Sequence, residues 1–176
     1  MSDEKKIKNS VVRLTKGDIT DLDVECFVFY AQSDLKLGSG YGGAISMRGG
    51  PEIQKELDTL APIDVGVAVL SAAGGLKAKH IIHANGPKFQ EEDLENKLRV
   101  TVQNALKVAD ANGIKQLAFP PMGAGFYGVP LPTAARVTME TVKQHLEGDT
   151  GLKEVVFCLL DSREYGPFQS HLNSLD

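Results

Sequence analysis

Residues 23–30, DVECFVFY, form a nearly unbroken apolar run that ends shortly before a glycine-rich stretch, Gly38 to Gly50. A run with so little polar alternation belongs to a strand covered on both faces, which demands helices above and below the sheet. The motif occurs again further on: QLAFP, Gln116 to Pro120, leads into a second glycine loop, Gly123 to Gly128. Two apolar strands, each turning through glycines toward a helical pattern, set the frame for the remaining segments.

Val11 to Thr15 reads as a first strand, and Val65 to Ser71 and His80 to Ala84 as two more, joined through the Gly-Gly turn within Ala72 to Leu76. PEIQKELDTL is helical in pattern, with Pro51 suited to a first turn. Glu91 to Asn112 places Leu94, Leu98, Val102, Leu106 and Ala109 on one helical face, and Asn112-Gly113 is its stop signal. A helix over Pro132 to Leu146, a strand over Glu154 to Leu160 and a short helix within Arg163 to Leu175 complete the chain. The alternation predicts an α/β/α sandwich, three layers around a central mixed, mostly parallel sheet. The chain of 176 residues suits one domain, residues 10–176, after a solvated, charged tail, residues 1–9.

No apolar run reaches the roughly 20 residues of a membrane helix, so no membrane partner is expected. The net charge of -4 argues against a broad nucleic-acid surface. Cys26 and Cys158 each sit within apolar runs and read as free buried thiols, and without a CxxC, an HExxH or a His/Cys cluster no metal site is expected. No cofactor is implied. A cytoplasmic monomer is the expectation.

Ligands of open α/β sheets bind beyond the carboxyl ends of the strands, where both glycine loops fall. Glycines let backbone N–H groups approach a ligand, successive N–H groups make concave anion sites, and a helix N-terminus adds favourable charge. Two such loops suit a diphosphate. Neither is a Walker motif or a Rossmann GxGxxG in its βαβ context, which points away from ordinary ATP or NAD sites. Gly17-Asp18-Ile19-Thr20 follows the first strand; Asp18 suits either an amino group of a base or the capping of a turn. His80 and His83 read as packed strand residues, His145 and His171 as surface residues, and Asn85 as a turn residue. Ser39 lacks a nucleophile elbow.

Four segments in order, GDIT at 17–20, LGSGYGGAI at 37–45, AKHIIHANGP at 78–87 and AFPPMGAGFYGVP at 118–130, resemble the macrodomain family of ADP-ribose-binding proteins. The resemblance covers about Val11 to Leu160. It implies a cleft for ADP-ribose or an ADP-ribosylated protein. By that resemblance Asp18 contacts adenine and Ile19 offers backbone beside it. Gly40, Tyr41 and Gly42 line the diphosphate from one side; Gly123, Ala124, Gly125 and Phe126 cradle it from the other. Tyr127 packs by the distal ribose, and Leu160 takes the place of an aromatic that often stacks on adenine.

The departures bear on activity. Hydrolytic members of the family commonly carry Asn-Ala-Ala-Asn where this chain has Phe29, Tyr30, Ala31 and Gln32, and an aspartate where it has Gly42. Asp34 is out of register and reads as a loop residue. One of Phe29 and Tyr30 is expected to point into the cleft. The reading that follows is an ADP-ribose-binding module. The alternatives are an ADP-ribosyl hydrolase acting on protein or O-acetyl-ADP-ribose through ligand-held water, and a divergent member that binds another nucleotide or nucleic acid.

Overall fold

The computed structural model describes residues 3–175. Seven strands make one sheet: β1 (Glu4–Ile7), β2 (Ser10–Lys16), β3 (Cys26–Tyr30), β4 (Ala68–Ala72), β5 (His80–Ala84), β6 (Gln116–Phe119) and β7 (Glu154–Leu159). Their order is β1-β2-β7-β6-β3-β5-β4. The edge strands β1 and β4 run antiparallel to their neighbours and the other pairings are parallel, so the sheet is mixed and mostly parallel. Five helices flank it: α1 (Tyr41–Gly49), α2 (Glu52–Leu60), α3 (Leu94–Ala111), α4 (Leu131–Glu147) and α5 (Ser162–Ser174).

Side-chain alternation along the strands divides the core. Cys26, Val28 and Tyr30 of β3 pack with Leu98, Val102 and Leu106 of α3, Val142 of α4 and Phe168 of α5. Phe27 and Phe29 face the other way, toward Ile45 of α1 and Ile53 and Leu57 of α2. Helices α3, α4 and α5 therefore cover one face and α1 and α2 the other, which is why the central strands read as unbroken apolar runs.

This arrangement creates a crevice. Strands β3 and β6 are parallel neighbours, with Cys26 opposite Leu117 and Phe27 opposite Ala118. The chain leaving β3 enters α1 on one face, while the chain leaving β6 enters α4 on the other. Connections that part to opposite faces open a gap at the carboxyl ends of the two strands, the place where open α/β sheets take ligands.

Two expectations need correction. Residues 1–9 are not wholly a solvated tail: Glu4–Ile7 forms β1, in register with Ser10–Arg13 of β2, and Ile7 is buried. Charged residues on a short edge strand discourage further pairing, and they hide the strand from a hydropathy reading. The first glycine stretch is also not all loop, since α1 begins at Tyr41, ahead of the pattern that marks α2.

Candidate functional site

The gap between β3 and β6 is a cleft of about 650 Å³. All eleven residues singled out as ligand contacts lie on its walls. Asp18, Ile19 and Leu160 stand at one end, at the termini of the paired strands β2 and β7. Gly40, Tyr41 and Gly42 form the wall where α1 begins; Gly123, Ala124, Gly125, Phe126 and Tyr127 form the facing wall beyond β6. Both Phe29 and Tyr30 border the cleft, where one was expected to. They belong to opposite faces of the sheet, and the cleft straddles the strand end.

The wall at α1 is made of backbone. Gly40 is the N-cap and offers no side chain, and Gly43 N already donates to Ser39 O at 3.2 Å, so it is the N–H groups of Tyr41 and Gly42 at the head of α1 that face an anion without a side-chain cap. The path of this loop is tight. A β-carbon added at Gly42 falls 1.6 Å from the carbonyl oxygen of Leu37, so only glycine fits there. On the facing wall, Gly125 has φ of 77° and opens a 3-10 turn, Gly125–Tyr127, also without a side-chain cap. Phe126 on that turn is 89% exposed.

The strand-terminal end is acidic and polar. Asp18 caps the 3-10 turn Ile19–Asp21: its Oδ1 accepts from Thr20 N at 2.9 Å and Thr20 Oγ1 at 2.6 Å. Its Oδ2 accepts from Arg48 of α1 at 3.3 Å. Partial burial pushes the Asp18 carboxyl up, but the Thr20 hydrogen bonds and the Arg48 guanidinium outweigh it and hold the group below the usual carboxylate range. The capping and ligand readings of Asp18 thus concern a single carboxylate, and the cap engages one oxygen twice. Glu164 of α5 lines the same end, its Oε1 accepting from Leu160 N at 2.7 Å. Burial pushes the Tyr41 phenol up to about 12, with the charges of Glu164 and Asp18 adding to the shift.

The opposite end carries aromatic rings and an amide. Tyr30 and Tyr127 lie with ring centroids 4.9 Å apart, and Gln32 borders the same space. The Tyr30 hydroxyl donates to Pro87 O, which ties β3 to the turn after β5. Burial raises the Tyr127 phenol, the Asp34 charge adds to this, and a hydrogen bond with Gln32 works against it. Among the described residues, Asp18 and Glu164 are the only carboxylates on the cleft walls, and both stand at the other end.

Sequence reasoning missed Arg48 and Glu164. Glu164 had a readable signal: Asp161 caps α5 by accepting from Glu164 N at 3.0 Å, and Asp-x-x-Glu before a helix is a capping box, whose glutamate folds back toward the strand end. Arg48 had none, because its partners lie 28 and 30 residues away. A second hollow, of about 620 Å³, opens beside α5. Its polar groups satisfy one another: Lys16 bonds Ser162 and lies over the Tyr165 ring, and Gln169 bonds Asp3. The cleft between β3 and β6 is the better candidate.

Fold and cleft together define an α/β sandwich with an anion-ready crevice between two glycine loops. The family model described as Macro domain matches residues 30–138, and the chain belongs to this family. A macro domain-containing protein of Caldanaerobacter subterraneus subsp. tengcongensis is 39% identical over 171 residues, covering 94% of this chain and 97% of that protein. A Pantoea vagans protein named O-acetyl-ADP-ribose deacetylase 1 is 32% identical over 168 residues, covering 92% and 98%. Among solved structures, the Oceanobacillus iheyensis macrodomain with ADP superposes with a TM-score of 0.92 at 26% identity, covering 97% of this chain and 94% of that one. The Trypanosoma brucei macrodomain in complex with ADP-ribose gives a TM-score of 0.85 at 26% identity, with 92% and 68% covered.

Proposed function

We propose that this protein is a binding module for ADP-ribose, free or attached to another protein. The observation that carries the reading is the pair of glycine loops, leaving adjacent parallel strands for opposite faces and meeting across one cleft with uncapped helical N–H groups. In this reading those groups take the diphosphate, Asp18 takes the amino group of adenine, and Leu160 gives the base an apolar contact. The second ribose lies against Phe29, Tyr30 and Tyr127. Complexes of similar macrodomains with ADP and ADP-ribose support the assignment.

Retention without turnover is the expected behaviour. Among the described residues the walls hold no carboxylate at the distal end to position water, and the loop path at Gly42 has no room for one. The test is calorimetric titration with ADP-ribose, with AMP and ADP as comparators, beside an acetate-release assay on O-acetyl-ADP-ribose. Low-micromolar binding, about -8 kcal/mol, with no release of acetate is expected. No binding at millimolar ADP-ribose overturns the reading, and rapid acetate release replaces it with the enzymatic one suggested by the name of the Pantoea vagans relative. Gly125→Glu is the control. A β-carbon at this position meets nothing within 4 Å, so the change brings no clash; its left-handed φ of 77° strains the backbone by about 1–3 kcal/mol, which thermal denaturation reads separately, while a carboxylate there repels the diphosphate.

A further inference from the structure

The acceptor at the base end of the cleft is held in a closed ring of hydrogen bonds. Arg48 Nη1 donates to Thr20 Oγ1 at 2.9 Å, Thr20 Oγ1 donates to Asp18 Oδ1 at 2.6 Å, and Arg48 Nη2 donates to Asp18 Oδ2 at 3.3 Å. The direction of the ring is fixed by its members. A guanidinium only donates and never loses its charge at ordinary pH, so the single hydroxyl hydrogen of Thr20 must point to the carboxylate. Oδ1 already accepts from Thr20 N as well, which leaves Oδ2 as the less occupied oxygen. The carboxylate therefore has one orientation and one role, that of acceptor.

Arg48 also ties this acceptor to the phosphate wall. It lies on α1, the helix whose first residues, Tyr41 and Gly42, line the cleft, and Asp18 is joined to that helix through it. The other carboxylate at this end is engaged elsewhere, since Glu164 accepts from Leu160 N within its own capping turn and has Arg163 at 3.7 Å. Arg48 is thus the side chain that sets where the free acceptor stands relative to the bound diphosphate.

We propose that Arg48 is a specificity-determining residue of this cleft, positioning Asp18 so that the base pocket favours a nucleotide whose base presents an exocyclic amino group, as adenine does, over one that presents an oxo group in its place, as hypoxanthine does. The inference rests on the ADP-ribose reading above. An acceptor-only carboxylate gains a hydrogen bond from the amino group and faces a lone pair from the oxo group, while both nucleotides make the same contacts to the glycine loops.

The experiment titrates the unaltered protein, Arg48→Ala and Arg48→Lys with ADP-ribose and with inosine diphosphate ribose. The unaltered protein is expected to prefer the adenine ligand by about tenfold or more. In Arg48→Ala the two affinities converge to within about threefold, through loss of the adenine ligand's advantage and not of inosine binding. Arg48→Lys recovers part of the preference, because it keeps the charge but not the two-armed grip. A preference that survives intact in Arg48→Ala, or an equal loss for both ligands, overturns the proposal. Equal binding of both ligands by the unaltered protein removes this proposal and leaves the ADP-ribose reading standing. Binding of neither ligand removes both.

Discussion

The carbonyl oxygen of Leu37 occupies the space that a side chain on residue 42 would need: a β-carbon built at Gly42 lies 1.6 Å from it. The resemblance to hydrolytic macrodomains implies an aspartate at this position, and the path of this loop leaves no room for its side chain. Introducing it is expected to fail. Gly42→Asp should cost about 1–3 kcal/mol or more through overpacking against backbone. That lowers the melting temperature by roughly 2–4 °C per kcal/mol for a chain of this size. It should also weaken ADP-ribose binding at least tenfold and produce no acetate release. Thermal denaturation and calorimetry read the first two effects. A stable Gly42→Asp protein that gains turnover would show that the loop adapts and that this account of its path is wrong.

Tyr30 tests a separation of stability from binding. Its ring is packed so closely that a β-carbon at Gly86 would lie 2.3 Å from Tyr30 Cζ, and its hydroxyl donates to Pro87 O in a buried setting. Tyr30→Phe keeps the ring and leaves the carbonyl without this donor, which costs about 1–3 kcal/mol. Urea denaturation should register this loss while the ADP-ribose affinity stays within about threefold. An unchanged denaturation midpoint would mean that the hydroxyl bond contributes nothing net.

The two thiols give a probe of core integrity. Burial pushes Cys26 up to about 12 and Cys158 up to about 11, with nearby carboxylate charges adding in each case. The thiolate is the reactive form, so neither cysteine should react with Ellman's reagent at pH 8 while the protein is folded. Both should react at the rate of unfolding when urea is added. Prompt labelling of one thiol in native buffer would place that side chain in an opening segment.

Much of the site was legible because its signals are local. The glycine runs and the apolar strands before them located both loops, and helix signals such as Asn112-Gly113 bounded α3 to within a few residues. What stayed hidden depends on the third dimension. Helix α1, YGGAISMRG, holds three glycines and no capping side chain, so its period is invisible and Arg48 could not be assigned a direction. Strand β1, EKKI, reads as a charged tail until β2 is there to pair with it. The fate of Phe29 and Tyr30 was half legible: strand alternation sends them to opposite faces, but only the straddling cleft makes both of them wall residues.

His83 supplies a pH dependence whose sign follows from burial. The side chain is fully buried on β5, and desolvation lowers it to about 3. Its Nε2 meets Ser71 Oγ at 2.8 Å, and Ser71 Oγ already donates to Ala72 O, so the imidazole is the donor in that contact. Its Nδ1 has no partner, and a proton there would put an uncompensated charge beside the edge of Phe29. The unfolded chain takes that proton near the ordinary histidine value of about 6.5. Between roughly pH 6.5 and 3 the unfolded state thus binds more protons, and stability falls as pH falls. From pH 7.5 to pH 5 the loss attributable to this residue is about 2 kcal/mol. His171, also lowered by burial but partly exposed and facing Glu140, adds a smaller loss of the same sign, and the depressed carboxyls of Asp18 and Glu154 act only at lower pH. Urea unfolding at pH 7.5, 6 and 5 should show a slope that His83→Phe and His83→Gln both flatten. Parallel slopes in the variants and the unaltered protein would assign the acid sensitivity to other groups.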